Sequence, residues 1–318
     1  MLAHPLNVSI LRSLTTGPKQ GSELRRETGF PAQTTIRAQL KQLAGIGAVE
    51  KHRKNHFPGV LTYELTATGR GLLSVAEILE DWLQAAPHSS LRLGDAAAKA
   101  AIKALIEAWA TSMLRALGAR PLSLTALDRV IASQSYPALE RRLSALRVTG
   151  MVEPQPTNGA GTPYAANAWL RRGVAPLVAA ARWERKHASH DMPALTRGDV
   201  ETTFLLAAPL LRLPSGLSGS CRVAAIASDR DDRPAGAMIE IADGTVTACS
   251  TQLNGDVNCW VVGSISAWLN ALVVHDLDGL ELGGDSDLAR ELVGGLHREL
   301  YGAPRARREP QRKDPLSG

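Results

Sequence analysis

Polar and basic side chains recur at helical spacing in one short segment of the 318-residue chain. Gln33, Arg37 and Lys41 follow one another every four residues, and the apolar Ile36 and Leu40 fall between them. Glutamine and arginine can pair with base edges in the major groove, and lysine contacts phosphates. The spacing therefore predicts a helix that presents these groups to a nucleic-acid duplex. The candidate contacts in this region are Gln33, Thr34, Thr35, Arg37, Lys41, Lys51, Arg53 and Lys54.

Three short helices and a hairpin are predicted to position these side chains. Gly17 and Pro18 end the first helix, because glycine adopts a left-handed end and proline cannot continue the helix. Ser22 is predicted to cap the second helix by accepting its free backbone N–H groups. The predicted helices span 6–14, 23–28, 32–44 and 68–84, and the predicted strands span 49–52 and 61–65. This order would let one helix lie in a major groove while the hairpin loop crosses the phosphates.

The first 190 residues contain an internal repeat. A shift of 103 residues aligns Leu11 and Arg12 with Leu114 and Arg115. After the third helix the shift falls to 101 residues, because two residues are lost between the strands, where loops absorb deletions easily. The other identical pairs include Leu14 and Leu117, Pro18 and Pro121, Leu24 and Leu127, Gly47 and Gly150, Tyr63 and Tyr164, and Trp82 and Trp183. Self-similarity at a fixed offset predicts two copies of one fold.

The second copy departs from the first at positions that bear on DNA contact. Tyr136 stands at the position of Gln33, and Pro137 stands at the position of Thr34. Glu140 replaces an arginine, which introduces repulsion toward phosphate, and the hairpin over 154–165 carries no positive charge. The second copy either reads a weaker half-site or has become a pairing and ligand-holding unit, and we favour asymmetric DNA binding. Its candidate contacts are Ser135, Tyr136, Arg141 and Arg142.

These two copies resemble the HxlR-type branch of winged-helix transcription regulators over residues 4–188. In the first copy the resemblance rests on residues 10–14, 17–18, 23–26, 40–43, 47–49, 63–69 and Trp82; in the second it rests on Trp109, 113–115 and 141–146. Members of this branch usually act as homodimers on operator DNA, and their two recognition helices read half-sites that are about one turn of DNA apart. The resemblance implies double-stranded operator DNA as the partner. Two copies in one chain imply a pseudo-dimeric monomer, with a homodimer as the alternative.

The C-terminal region changes in composition and charge. From residue counts, the net charge is +3 for residues 1–85, +8 for 86–190, −9 for 191–302 and +3 for 303–318. A basic first part suggests a polyanionic partner, whereas an acidic domain is poorly suited to touch DNA. Helices over 198–208, 264–274 and 286–301 and strands over 220–227, 235–241, 245–252, 258–263 and 280–282 predict helices against an antiparallel sheet.

Residues 260–289 of this region resemble the end of sterol-carrier-protein-like domains, which hold apolar ligands in a sheet-and-helix cavity. A hydrophobic or aromatic small-molecule effector is the partner that this resemblance implies, and a filled core with no cavity is the alternative. Large aromatic side chains can supply stacking walls for such a ligand, although they also serve as core. The candidate ligand contacts are Trp109, Trp169, Trp183, Trp260 and Trp268.

Several functional classes find no support in the sequence. No apolar stretch reaches the roughly 20 residues that cross a bilayer, and the first residues lack a secretion signal, so a cytoplasmic protein is expected. No nucleophile, phosphate-loop or dinucleotide motif occurs, so neither catalysis nor a cofactor is predicted. The pairs His52/His56 and His187/His190 lack partners for a metal site. Relatives sense oxidants through a cysteine near the N-terminus, but Cys221, Cys249 and Cys259 come late and are interpreted as buried free thiols.

The sequence therefore predicts an α+β protein: two winged helix-turn-helix domains in tandem followed by a small α+β sheet-and-helix domain. The predicted divisions are 1–86 and 95–190 for the winged helices, 196–302 for the sterol-carrier-like domain and 303–318 for a disordered basic tail. The predicted function is that of a DNA-binding repressor that responds to a hydrophobic or aromatic small molecule. The alternative is a hydrophobic-ligand-binding or scaffold protein whose winged helices mediate protein contacts.

Overall fold

The computed structural model describes residues 1–53, 61–157, 159, 161–187, 195–226 and 234–302. Lys54, His56, His190 and the tail over 303–318 lie outside the described residues, so the predictions made for them stay predictions. The described part mixes helices and strands, which confirms the α+β class.

The N-terminal unit contains four helices and a three-stranded sheet. Its elements are α1 (Pro5–Ser13), a 3-10 turn (Leu14–Thr16), β1 (Lys19–Gln20), α2 (Gly21–Glu27), α3 (Gln33–Gly45), β2 (Val49–Arg53), β3 (Leu61–Leu65) and α4 (Ala67–Gln84). The sheet order is β1-β3-β2, and all pairs are antiparallel. Ile10, Leu11, Leu24, Leu40 and Leu43 are buried together where α1, α2 and α3 meet. This core holds α3 in place, because its buried face is shared with both preceding helices.

The start of α2 differs from its prediction. Gln20, not Ser22, is the N-cap residue, and its backbone N–H donates to Glu23 Oε2 at 2.7 Å. Lys19 and Gln20 pair with Tyr63 and Thr62 of β3. Because this long-range pairing ends the extended segment at Gln20, the helix begins at the next residue, earlier than predicted. The predicted cap at Ser22 was therefore wrong.

Residues 96–187 repeat this order from their second helix onward, after one additional helix at the start and with two helices at the position of α4. The elements are α5 (Ala96–Ala110), α6 (Met113–Ala119), α7 (Leu124–Val130), α8 (Tyr136–Val148), β4 (Val152–Pro154), β5 (Tyr164–Ala166), α9 (Ala168–Arg172) and α10 (Val174–His187). The bounds of α7 and α8 lie 103 residues after those of α2 and α3. The bridge between Lys19 and Tyr63 has its counterpart between Leu122 and Tyr164.

Capping hydrogen bonds recur at the same spacing. Thr66 Oγ1 donates to the carbonyl of Gly47 at 2.6 Å, and Asn167 Nδ2 donates to the carbonyl of Gly150 at 2.8 Å. Thr66 Oγ1 and Asn167 Oδ1 also accept from the backbone N–H three residues later, at 3.0 Å in both cases. The strand-to-helix junctions of the two units are thus built from the same hydrogen bonds, although the capping residue type differs.

The two units meet in a reciprocal contact between α4 on one side and α9 and α10 on the other. Trp82 Nε1 donates to the carbonyl of Trp169 at 3.0 Å, and Trp183 Nε1 donates to the carbonyl of Thr68 at 2.9 Å. Trp82 precedes Trp183 by the same 101 residues by which Thr68 precedes Trp169. The rings of Trp82 and Trp169 also stack, with centroids 5.0 Å apart and planes 12° apart. A patch that pairs with its own equivalent is the contact expected across a two-fold axis.

The C-terminal domain consists of a five-stranded sheet and three helices. Its elements are α11 (Arg197–Ala207), a 3-10 turn (Ala208–Leu210), β6 (Gly219–Ile226), β7 (Ala235–Ala242), β8 (Thr245–Ser250), β9 (Cys259–Ser264), α12 (Ile265–Val274), β10 (Leu280–Gly284) and α13 (Ser286–Tyr301). The sheet order is β10-β9-β6-β7-β8. Strands β6 and β9 pair in parallel, so the prediction of an antiparallel sheet was wrong for this pair. The chain leaves β8 at one edge and crosses back to the far side of β6, which makes the pair parallel.

This domain docks on the second unit. Arg171 Nη1 donates to the carbonyl of Leu205 at 2.9 Å, and the Tyr301 hydroxyl donates to the carbonyl of Ala175 at 2.9 Å. Burial at this junction lowers the pKa of Arg171. The contacts tie α9 and α10 to the C-terminal helices, so the second unit connects the N-terminal unit with the C-terminal domain.

A buried carboxylate strengthens the docking. Glu201 of α11 has a side chain only 1% exposed and pairs with Arg115 at 2.6 Å and with Arg197 at 2.8 Å. We expect Glu201→Gln to lower the free energy of unfolding by about 1.5–3 kcal/mol, because it weakens the hydrogen bond from Arg197 and the ion pair with Arg115 at a buried carboxylate.

Urea denaturation followed by tryptophan fluorescence measures this effect. Glu291→Gln is the matched control, since its pair with Arg298 at 2.9 Å is exposed on both sides. The control should cost less than about 1 kcal/mol. Equal losses for the two variants would show that Glu201 does not stabilise the junction.

Candidate nucleic-acid interface

A tight turn sets the direction of α3. Gly29 and Phe30 both adopt left-handed backbone angles, with φ of 85° and 55°. The backbone N–H of Phe30 donates to the carbonyl of Arg25 at 2.8 Å, and Arg25 Nε donates to the carbonyl of Pro31 at 2.8 Å. These bonds hold α3 at a fixed angle to α2, as a helix-turn-helix requires.

The two faces of α3 differ as predicted. Ile36 and Leu40 are buried, with 2% and 1% of their surface exposed. Gln33, Arg37 and Lys41 are exposed on the opposite face, one helical turn apart. A row of amide, guanidinium and ammonium groups thus faces outward from a helix whose other side is fixed by the core.

The first turn of α3 offers further hydrogen-bond donors. Its N-cap residue is Ala32, and no side chain of the described residues accepts the backbone N–H groups of this turn. The first intrahelical bond is from the N–H of Ile36 to the carbonyl of Ala32, which leaves the N–H groups of Gln33, Thr34 and Thr35 facing outward. Uncapped N–H groups at a helix start bind phosphate well. The sequence analysis did not predict this uncapped turn, although Ala32 at the position of the N-cap residue indicates it, because alanine has no side-chain acceptor.

The strand register separates charges on the hairpin. Lys51 and Arg53 pair with Tyr63 and Leu61, so they share one face of the hairpin with the buried Val49. Both basic side chains are exposed. The acidic residues fall on the other face, where His52 Nε2 lies 3.3 Å from Glu64 Oε2 and 3.9 Å from Glu50 Oε2. The positive face is the one on the side of α3, because Val49 on that face is buried in one cluster with Leu40 and Leu43 of α3.

The predicted contacts of the first unit fall mainly on this surface. Gln33, Thr34, Arg37, Lys41, Lys51 and Arg53 are exposed, Thr35 is half-buried, and Lys54 lies outside the described residues. We expect Lys51→Ala to weaken binding to all duplex sequences alike and to reduce the slope of log K against log salt by about 0.9, because one phosphate contact is lost.

Fluorescence anisotropy of a labelled random duplex at several salt concentrations checks this prediction. Lys103→Ala on α5 is the matched control, since Lys103 is exposed, lies outside the first unit and pairs with Glu107 of its own helix. An unchanged slope for Lys51→Ala would remove the hairpin from the interface.

The corresponding surface of the second unit is less basic. On α8, Tyr136 is 44% exposed, and Glu140 and Arg141 are exposed. The predicted contact Arg142 is half-buried, and its Nη1 donates to Gln134 Oε1 at 3.0 Å, so it braces the turn before α8. Pro137 also removes one backbone donor from the first turn. Ser135, the N-cap residue, is exposed.

The five candidate tryptophans lie in three different places. Trp109 and Trp268 line a cavity of about 160 Å³ between α5, α10, α11 and α12. Trp169 and Trp183 belong to the contact between the two units. Trp260 packs over Gly283 of the neighbouring strand, where a Cβ atom would lie 2.2 Å from the indole ring. Only two of the five therefore lie where a ligand could contact them together.

The cysteines lie in strands of the C-terminal sheet. Cys221 and Cys259 are buried on adjacent strands with their Sγ atoms 2.8 Å apart, and their mutual contact raises the pKa of Cys221. Burial raises the pKa of Cys249 to about 12. None of the helices in the described ranges is long and apolar enough to span a bilayer. The described residues also contain no cluster of three metal-ligating side chains.

Comparison with known proteins concerns the first unit. A family described as HxlR-like helix-turn-helix matches residues 2–90. An uncharacterized HTH-type transcriptional regulator, YtcD of Bacillus subtilis (strain 168), is 34% identical over 86 residues, which are 27% of this chain and 67% of that protein. The matched family segment contains α3 and the basic hairpin face and ends before α5.

Proposed function

The chain belongs to the HxlR-like helix-turn-helix family through residues 2–90, and from this premise we propose that α3 and the hairpin of its first unit read operator DNA. One observation carries the proposal: Gln33, Arg37 and Lys41 project from a helix whose opposite face is buried, and the first turn of that helix is uncapped. A helix of this kind can place side chains on base edges while its backbone N–H groups hold a phosphate. Such a regulator works in the compartment that holds the chromosome, which for a bacterial-type protein is the cytoplasm.

Residues 96–187 are, in this proposal, a second winged helix that substitutes for the second subunit of a dimer. The hydrogen bonds of Trp82 and Trp183 support it. A shift of 101 residues relates the two donors to each other and the two acceptor residues, Thr68 and Trp169, to each other. Because both partners of this two-fold contact lie in one chain, the contact surface is already covered, and a second copy of the chain cannot pair there. The protein would then bind DNA as a monomer with two recognition helices.

The two helices would read unlike half-sites. Glu140 and Pro137 make α8 a poorer partner for phosphate than α3, whereas Tyr136 and Arg141 remain exposed for base and backbone contact. The operator is therefore proposed to be asymmetric, with the stronger half-site under α3.

The C-terminal domain would supply the signal. Its helices cover a mixed sheet and border an apolar cavity, which supports the likeness to sterol-carrier-type domains and a role in binding an apolar effector. Its net negative charge keeps it away from DNA. We propose that the effector shifts the protein between conformations of different DNA affinity, as a repressor requires.

Salt-dependent binding to a random duplex tests the DNA-binding proposal. A regulator that neutralises several phosphates should lose affinity steeply between 50 mM and 200 mM salt, by about 10³-fold for six contacts. A scaffold protein whose winged helices contact other proteins would show weak binding with no steep salt dependence, and that outcome would overturn the proposal.

A further inference from the structure

The cavity between the second unit and the C-terminal domain has walls from both sides. Leu177, Val178 and Ala181 of α10 line one side, and Phe204 of α11 and Trp268 of α12 line the other. Its volume is about 160 Å³. An apolar cavity of about 150 Å³ is large enough to hold benzene.

The polar groups at the cavity are already paired within the protein. Trp109 Nε1 donates to Asp199 Oδ1 at 2.7 Å, and Thr196 donates to Asp199 Oδ2 from both its backbone N–H and its hydroxyl at 2.7 Å. The Thr203 hydroxyl donates to the carbonyl of Asp199 at 2.8 Å. The indole N–H of Trp268 donates to the carbonyl of Ala224 at 2.8 Å. The cavity therefore presents ring faces and methyl groups to a ligand, although two of its lining residues are polar by type.

We propose that this cavity is an effector site for an uncharged aromatic molecule of one ring, of toluene to indole size. Phe204 and Trp268 already pack edge to face, with ring centroids 4.8 Å apart, and a third ring can extend this arrangement. An anionic group on the ligand would find no cationic side chain among the lining residues and would lie near the Asp199 carboxylate, at a high desolvation cost. A long alkyl chain does not fit the volume. The site itself is independent of DNA binding, whereas its regulatory consequence rests on the proposed function.

The position of the cavity connects it to the contact between the two winged units. Helix α10 places Val178 and Ala181 at the cavity, and two residues after Ala181 it places Trp183 at the carbonyl of Thr68 in the first unit. Arg182 of the same helix donates to Asn270 Oδ1 of α12 at 2.8 Å. A ligand that favours one spacing of α10 and α12 therefore also favours one placement of the second unit against the first. The effector is expected to change operator affinity by roughly 5- to 150-fold.

Isothermal titration calorimetry of the full chain with toluene, in the absence of DNA, tests the site. Toluene and indole should bind saturably at one site per chain, and benzoate should not bind. Ala181→Leu fills the cavity and should weaken toluene binding more than about tenfold. Ala100→Leu on the exposed face of α5 is the matched control and should leave binding unchanged.

A second variant keeps the test decisive if Ala181→Leu does not fold. Leu177→Ala enlarges the cavity at a half-buried position and should raise the affinity for indole relative to toluene. Absence of saturable toluene binding, or toluene binding that neither variant alters, would overturn the site. Toluene binding without any change in operator affinity would overturn the coupling through α10. A protein that binds toluene but no DNA would contradict the proposed function and leave the site standing.

Discussion

Arg37→Ala is expected to abolish most of the preference for operator over random DNA while the protein stays folded. Arg37 is exposed at the middle of α3, on the face opposite the buried Ile36 and Leu40. An arginine that pairs with a guanine edge supplies about 1–3 kcal/mol of discrimination, so the ratio of specific to random affinity should fall roughly 5- to 150-fold.

Competition binding between a duplex selected from a random library and an unselected duplex measures this ratio. Arg290→Ala is the matched control, because Arg290 is exposed on α13 and its nearest carboxylate, on Asp287, is 3.8 Å away. The control should leave the ratio unchanged. If Arg37→Ala weakened both duplexes equally, Arg37 would contact phosphate, and base reading would have to be assigned to Gln33 and its neighbours.

Trp82→Ala is expected to have the largest effect on stability. Trp82 and Trp169 are each 4% exposed, and their rings stack across the contact between the units. Truncation of a buried tryptophan costs about 3–5 kcal/mol. It also removes one of the two reciprocal hydrogen bonds, so the units should lose their fixed relative placement.

The variant Trp82→Phe separates packing from hydrogen bonding. It keeps a stacked ring but removes the indole donor to the carbonyl of Trp169, which still accepts from the backbone N–H of Gly173 at 3.2 Å, so the loss should be about 0.5–1.5 kcal/mol. Urea denaturation should therefore rank the wild type first, Trp82→Phe second and Trp82→Ala last. Equal stability of Trp82→Ala and the wild type would show that this contact does not hold the units together.

Much of the first unit was predictable because its signals are local. The apolar spacing of Ile36, Leu40 and Leu43 fixes which face of α3 is buried, and β3 begins and ends at the predicted residues 61 and 65. The predicted bounds 286–301 of the last helix also agree with α13. The periodicity of apolar residues determines such elements without reference to the rest of the fold.

Features that depend on long-range pairing were not predictable. The start of α2 at Gly21 follows from the pairing of β1 with β3, and the parallel pair β6 and β9 follows from a crossover that leaves no local pattern. Alternation along β2 separates Lys51 and Arg53 from Glu50, but the placement of Glu64 on the same face as Glu50 and His52 needs the strand register.

The tryptophans illustrate the same difference. Trp109 and Trp268 line the cavity, whereas Trp169 and Trp183 donate to backbone carbonyls of the first unit. Nothing in the sequence distinguishes these two pairs. Their roles follow from docking of α10 between α4 and α12, and docking is a property of the assembled fold. Residue type alone could not divide these tryptophans between core and site.

A base-resolution footprint, with the stoichiometry of the same complex measured by sedimentation, tests the central claim most directly. We predict one chain per operator, with two protected major-groove blocks about 10 base pairs apart and unlike in sequence. Two chains bound to a palindrome, or a single block that persists unchanged in Arg37→Ala, would contradict the account.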